Sequence, residues 1–126
     1  MAKLADGTHL YPVRKRQRYG ERPGFKITEL ILESGQEVPW HRHTTVIDTF
    51  YVIEGALRVA ATEPQQEVVL GPAQTFQVRA GRPHRVTNAA DTPTKFLVIG
   101  DAQGAGLYDF EPVAAPGDTP WLAPSR

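Results

Sequence analysis

Apolar residues along this chain come in short runs, each closed by a turn residue. The run over 25–33, with Ile27, Leu30, Ile31 and Leu32, stops at Gly35 and is too short for a helix; it predicts a strand. A second strand is predicted over 37–43, where Pro39 marks an edge or an irregular start. Residues 48–53 carry apolar side chains on both faces, so both faces are expected to be covered. Glu54-Gly55 then predicts a tight turn into 56–61, giving a hairpin. Gly71-Pro72 and the stretch 80–83 separate further strands over 67–70, 75–79 and 84–88, and strands over 95–100 and 107–113 complete the set. About nine short strands, with turn signals roughly every 8–12 residues and no helical period, predict an all-β antiparallel barrel or sandwich.

The ends read differently. Residues 1–24 contain Pro12, Pro23, Gly20 and Gly24, which argues against a long helix and suggests an N-terminal arm. Within it, residues 14–18 (Arg-Lys-Arg-Gln-Arg) hold four positive charges. An anion contact is one reading; a solvated arm or edge strand is the preferred one. After the barrel, 25–113, a proline-rich tail at 114–126 is expected to be extended, with Trp121-Leu122 available to dock.

With 126 residues the chain makes one domain. Its formal charge is zero, so no global field recruits nucleic acid or an anionic membrane. There is no cysteine, which excludes disulfides and thiolate ligands and leaves histidine and carboxylate for any coordination. No run has signal-peptide or membrane-spanning character, so the expected location is the cytoplasm.

Histidine is where chemistry enters. There are four, and two of them, His41 and His43, stand one residue apart. In a strand, residues i and i+2 project from one face, so both rings point the same way. Asp48 follows at the head of an apolar run, and His84 opens another. Three imidazoles and a carboxylate form a common ligand set for non-haem iron, manganese, nickel or zinc.

With both histidine segments located, the chain resembles a single-domain cupin. That family's first motif places glycine, His-x-His, an acid and a second glycine, and Gly35, His41, His43, Asp48 and Gly55 match it. Gly81, His84 and Asn88 match the latter half of its second motif. The resemblance implies a double-stranded β-helix, or jelly-roll, with the histidines converging inside the barrel on one divalent transition metal held by His41, His43, Asp48 and His84. Two departures stand out. Asp48 replaces the usual glutamate, leaving open direct coordination, coordination through water, or a three-histidine site. Arg79 replaces a proline, so the turn before His84 is expected to be reshaped.

Around such a centre, Trp40, Phe50, Phe76 and Phe96 are candidates to line a pocket, with core or interface packing as their ordinary use. Arg79 and Arg82 are candidates to hold a substrate carboxylate at the mouth. Asn88 is a further substrate-binding candidate, set against a strand-end hydrogen bond. The resulting expectation is a small metalloenzyme acting on a small-molecule substrate. It is dioxygenase-like, or an isomerase or lyase, with a non-catalytic ligand-binding module as the rival. No nucleic-acid or membrane partner is expected, and a homodimer is.

Overall fold

The computed structural model describes residues 11–102 and 108–116. Among the described residues, ten strands form two antiparallel five-stranded sheets. One sheet has the order β1 (Lys15–Arg22), β2 (Phe25–Leu32), β9 (Thr94–Asp101), β4 (Ile47–Glu54), β7 (Thr75–Val78). The other runs β10 (Glu111–Pro112), β3 (Glu37–Arg42), β8 (His84–Asn88), β5 (Leu57–Ala61), β6 (Gln66–Leu70). The all-β expectation holds, and the architecture is that of a double-stranded β-helix.

The inner faces pack on each other. Leu30, Leu32, Phe50, Val52, Leu57, Val59, Val78, Val86 and Phe96 form one buried cluster between the sheets. Full burial of a side chain such as Phe96, which has no exposed surface, stabilises the fold by about 2–3 kcal/mol.

Three expectations change. The hairpin over 54–61 does not form: β4 pairs with β7 and β9, whereas β5 pairs with β6 and β8. Gly55 instead turns a corner from one sheet to the other. Its φ is +92°, and a Cβ there would come within 2.8 Å of the Thr94 Cα, so only glycine fits. The outer face of β4 is not covered within one chain, since Tyr51 and Ile53 are 37% and 38% exposed.

Of the strand expected over 107–113, residues 108–113 are described, and only Glu111 and Pro112 pair with β3 as β10, while Tyr108, Asp109 and Phe110 line a pocket. Part of the N-terminal arm is an edge strand: β1 pairs with β2 from Lys15 to Arg22, with an irregularity between Arg18 and Gly20. His9, Trp121 and Leu122 lie outside the described residues. Among the described residues no helix is long and apolar enough to cross a membrane.

Candidate metal centre

His41 lies on β3 directly opposite His84 on β8. The β3–β8 register shifts between Val38 and His41, which places the irregularity at Pro39 and Trp40, where a residue without an N–H breaks the ladder. The Gly81 N–H donates to the His43 carbonyl at 2.7 Å, tying the turn before His84 to the His-x-His segment. Gly81 has φ +82°, so the reshaped turn still needs glycine at that point. Asp48 reaches the same place from β4, in the opposite sheet. The site therefore spans both layers.

The ring centroids of His41 and His84 are 4.2 Å apart, and those of His41 and His43 4.8 Å. One Asp48 oxygen, Oδ2, stands 2.9 Å from His43 Nε2 and 3.8 Å from His84 Nε2. One donor atom from each of the four residues lies within 4.8 Å of all the others.

The other edge of each ring decides the chemistry. His41 Nδ1 meets the Pro39 carbonyl at 2.7 Å, His84 Nδ1 the Arg82 carbonyl at 2.8 Å, and His43 Nδ1 the Asp109 carbonyl at 2.5 Å. A carbonyl only accepts, so each Nδ1 carries its proton, and each Nε2 is left to face the cluster. Backbone carbonyls holding the far nitrogen in this way are the usual support for metal-binding histidines.

Charge points the same way. Burial, with His84 and His43 adding to it, holds His41 well below its ordinary pKa, so this ring stays neutral. Burial also opposes charge on His43, yet Asp48 and the Asp109 carbonyl outweigh it and raise that pKa. Burial resists ionisation of Asp48, and the facing His43 and His84 overcome it, keeping the carboxyl ionised far below the usual carboxylate range. A buried anion here favours a cation beside it.

The residues fit a divalent ion. His84 Nε2 is buried with no hydrogen-bond partner, a costly arrangement for a polar nitrogen unless a ligand takes its lone pair. Donors about 2.1 Å from one ion lie roughly 3–4 Å from each other, so inward shifts of well under an ångström would close this cluster. His41, His43, His84 and Asp48 would hold the ion and supply three neutral nitrogens and one charged oxygen.

Beside the cluster a pocket opens with an inner volume of about 80 Å³. Phe50, Leu30, Val86 and Val98 make its apolar wall. Phe110 stacks on His41 with centroids 4.2 Å apart and planes 11° from parallel. Asp109 sits at the edge, its carboxylate bound to the Thr44 N–H at 2.8 Å and to the Thr44 hydroxyl.

Of the seven pocket and substrate-binding candidates, Trp40, Phe50, Phe76, Phe96, Arg79, Arg82 and Asn88, only Phe50 lines this pocket. Trp40 points to the other side of its sheet and packs with Ala60 and Val113, because neighbours of an inward histidine face outward. Arg82 turns away and donates to the carbonyls of Thr62 and Pro64 and to Gln66, pinning the β5–β6 turn. Asn88 donates to the carbonyls of Leu32 and Thr92 and accepts from the Ala90 N–H and the Thr94 hydroxyl. That uses it fully as a strand-end clamp. Arg79 binds the Glu63 carbonyl at 2.7 Å, and Phe96 is core.

The pocket also holds residues not expected there: Arg16, Arg18, Lys26, Tyr11, Tyr108 and Phe110. For the two arginines a signal existed. Positions 16 and 18 share one face of a strand, just as 41 and 43 do.

A family model described as a cupin domain matches residues 28–100, and the chain belongs to that family. No curated protein matches it. Among solved structures it is similar to an uncharacterized protein with a double-stranded β-helix domain from Klebsiella pneumoniae. The identity is 19% and the TM-score 0.68, over 86% of this chain and 88% of that one. It is also similar to a cupin-2 domain containing protein from Shewanella frigidimarina, at 20% identity and TM-score 0.59 over 75% and 87%. A structure described as oxalate oxidase matches at 20% identity and TM-score 0.63, over 71% of this chain but 46% of its own length.

Proposed function

We propose that this cupin is a metalloenzyme in which His41, His43, His84 and Asp48 hold one divalent transition metal (iron, manganese, nickel or zinc) beside a pocket for a small oxygen-bearing substrate. The observation that carries the reading is the set of three Nδ1–carbonyl contacts, which aims three Nε2 atoms at one point with a buried carboxylate. A purely structural cluster has no need of an unpartnered nitrogen at its centre.

A divalent ion bound there supplies Lewis acidity and, with four protein donors, open coordination positions. The chain does the rest. Phe50, Leu30, Val86 and Val98 keep water from the reacting face, the Pro39, Arg82 and Asp109 carbonyls fix the histidine tautomers, and Phe110 holds the His41 ring in plane.

Oxygen-dependent, dioxygenase-like chemistry is favoured over an isomerase or lyase. The latter needs a positioned general base. Among the described residues lining the pocket, His41, His43 and Asp48 are taken by the cluster and Asp109 is engaged with Thr44. Of the tyrosines and the lysine, Tyr108 donates to the Gly100 carbonyl with its pKa raised by burial, and Lys26 stands over the Tyr108 ring. The exposed outer face of β4 supports the homodimer.

The test is direct. Untagged protein reconstituted with each metal should hold close to one ion per chain, and the ferrous form should consume dioxygen with a panel of phenols, diketones and thiols. A folded protein that takes up none of the four metals would leave a non-catalytic ligand-binding module instead.

A further inference from the structure

The pocket beside the cluster has a second chemical end. On the sheet containing Asp48, strand pairing sets inward positions in rows. Asp48 lies opposite Gly100 on β9, and Gly100 opposite Lys26 on β2. One row along, Phe50 faces Val98, Val98 faces Thr28, and Thr28 faces Arg18 on β1. The same face of β1 carries Arg16, while Lys15, Gln17 and Tyr19 between and beside them are exposed.

Three cations therefore stand on the inner face of β1 and β2, and all three line the pocket. Each is held by the wall. Arg18 Nε donates to the Thr28 hydroxyl at 2.8 Å while its Nη1 pairs with the exposed Glu21 carboxylate at 3.2 Å. The Arg16 guanidinium lies 5.1 Å from the centre of the Tyr11 ring, and the Lys26 ammonium lies 4.3 Å from that of Tyr108. Tyr108 is in turn anchored to the Gly100 carbonyl. Side chains positioned this way lose little further freedom when a ligand arrives.

Gly100 gives the row between Asp48 and Lys26 no side chain of its own, and the Tyr108 ring and Val46 flank it. A Cβ there would already touch Asp48 Oδ1 and Tyr108 Cε1 at 3.5 Å. Strands about 4.8 Å apart put the Asp48 and Lys26 backbones roughly 10 Å from each other, with both side chains reaching into the gap. An inner volume of about 80 Å³ is about half of the roughly 150 Å³ that encloses a benzene ring.

We infer that Arg18 and Lys26, with Arg16 at the rim, form a carboxylate-binding subsite, so that the pocket takes a short organic acid. The carboxylate lies at the cationic strands and an oxygen at the other end faces the His–Asp cluster. This rests on the metal-centre reading and narrows its substrate class. An Arg–carboxylate contact is charge-assisted and directional, and here it would form against apolar walls that weaken competition from water.

Calorimetric titration of the full chain, zinc-loaded and zinc-free, with glycolate and lactate against glycolamide and lactamide tests it. The acids should bind about tenfold or more tightly than the amides, a preference that shrinks as salt is raised. Arg18→Gln and Lys26→Gln should each weaken acid binding about tenfold while leaving amide binding and zinc content unchanged. Arg14→Gln, which alters an exposed pair with Glu33 in the same basic run, should change nothing. Equal binding of acids and amides, or full acid affinity in both pocket variants, overturns the inference. Failure of the wild type to bind zinc would remove the metal centre instead. The acid–amide comparison on the zinc-free chain would then still decide the carboxylate subsite, a retained preference supporting it and none overturning it.

Discussion

Two pairs with identical spacing sit on opposite walls of one pocket: His41 and His43 at the end of β3, Arg16 and Arg18 on β1. In both, alternation along an extended chain sends two like side chains inward. Histidine at that spacing is rare enough to signal ligation from the sequence. Arginine at the same spacing is not, because arginine is the ordinary residue of an exposed edge. What separates them is residue chemistry, since the geometry is shared.

The comparison breaks most visibly at the histidines. His41→Ala and His84→Ala should each reduce metal content from about one ion per chain to nearly none, an affinity loss beyond about a hundredfold, with the far-ultraviolet dichroism of the sheets retained. Loss of fold with metal content unchanged would count against the site. Asp48→Asn keeps the shape but removes the charge, and should weaken metal binding by about 10–100-fold in equilibrium competition with a chelator.

A smaller effect should follow pH. His43 has a raised pKa, so its Nε2 carries a proton at low pH and loses it as pH rises through that value. Because the ion must displace this proton, the rise in melting temperature on adding metal should grow between about pH 5 and 8. A flat profile would mean that His43 does not coordinate.

Asn88→Ala should cost about 2 kcal/mol in denaturant unfolding through the orphaned partners of its clamp, yet leave metal binding intact. Smallest of all, Lys15→Gln, on the outer face of β1 and paired with Glu29 at 3.2 Å, should shift stability by less than about 1 kcal/mol. It should also leave binding of short acids unchanged, in contrast to Arg18→Gln one turn of the pleat away.

Much of the barrel was legible because the signals are local. Strands β2, β4, β8 and β9 were visible as apolar runs closed by Gly35, Gly55, Asn88 and Gly100. Corrections fell where one residue's use depends on a distant partner. Glu54-Gly55 has the look of a hairpin turn, but Thr94 packed against Gly55 makes it a corner between sheets. Trp40 and Arg82 are each within two residues of a cluster histidine and still face elsewhere. Asn88, at a motif position, is consumed by Leu32, Thr92 and Thr94.

By itself, the order of residues determined a period-two, all-β chain with three histidines and an aspartate at motif spacing, because side-chain alternation and donor chemistry act over a few residues. Only the tertiary structure decided that Asp48 meets the histidines from the opposite sheet. It also decided that Asp109, 66 residues from His43, holds that ring, and that Arg18 and Lys26 share a pocket with the cluster. Those contacts depend on the register of whole sheets, which packing of the core sets and no short stretch encodes.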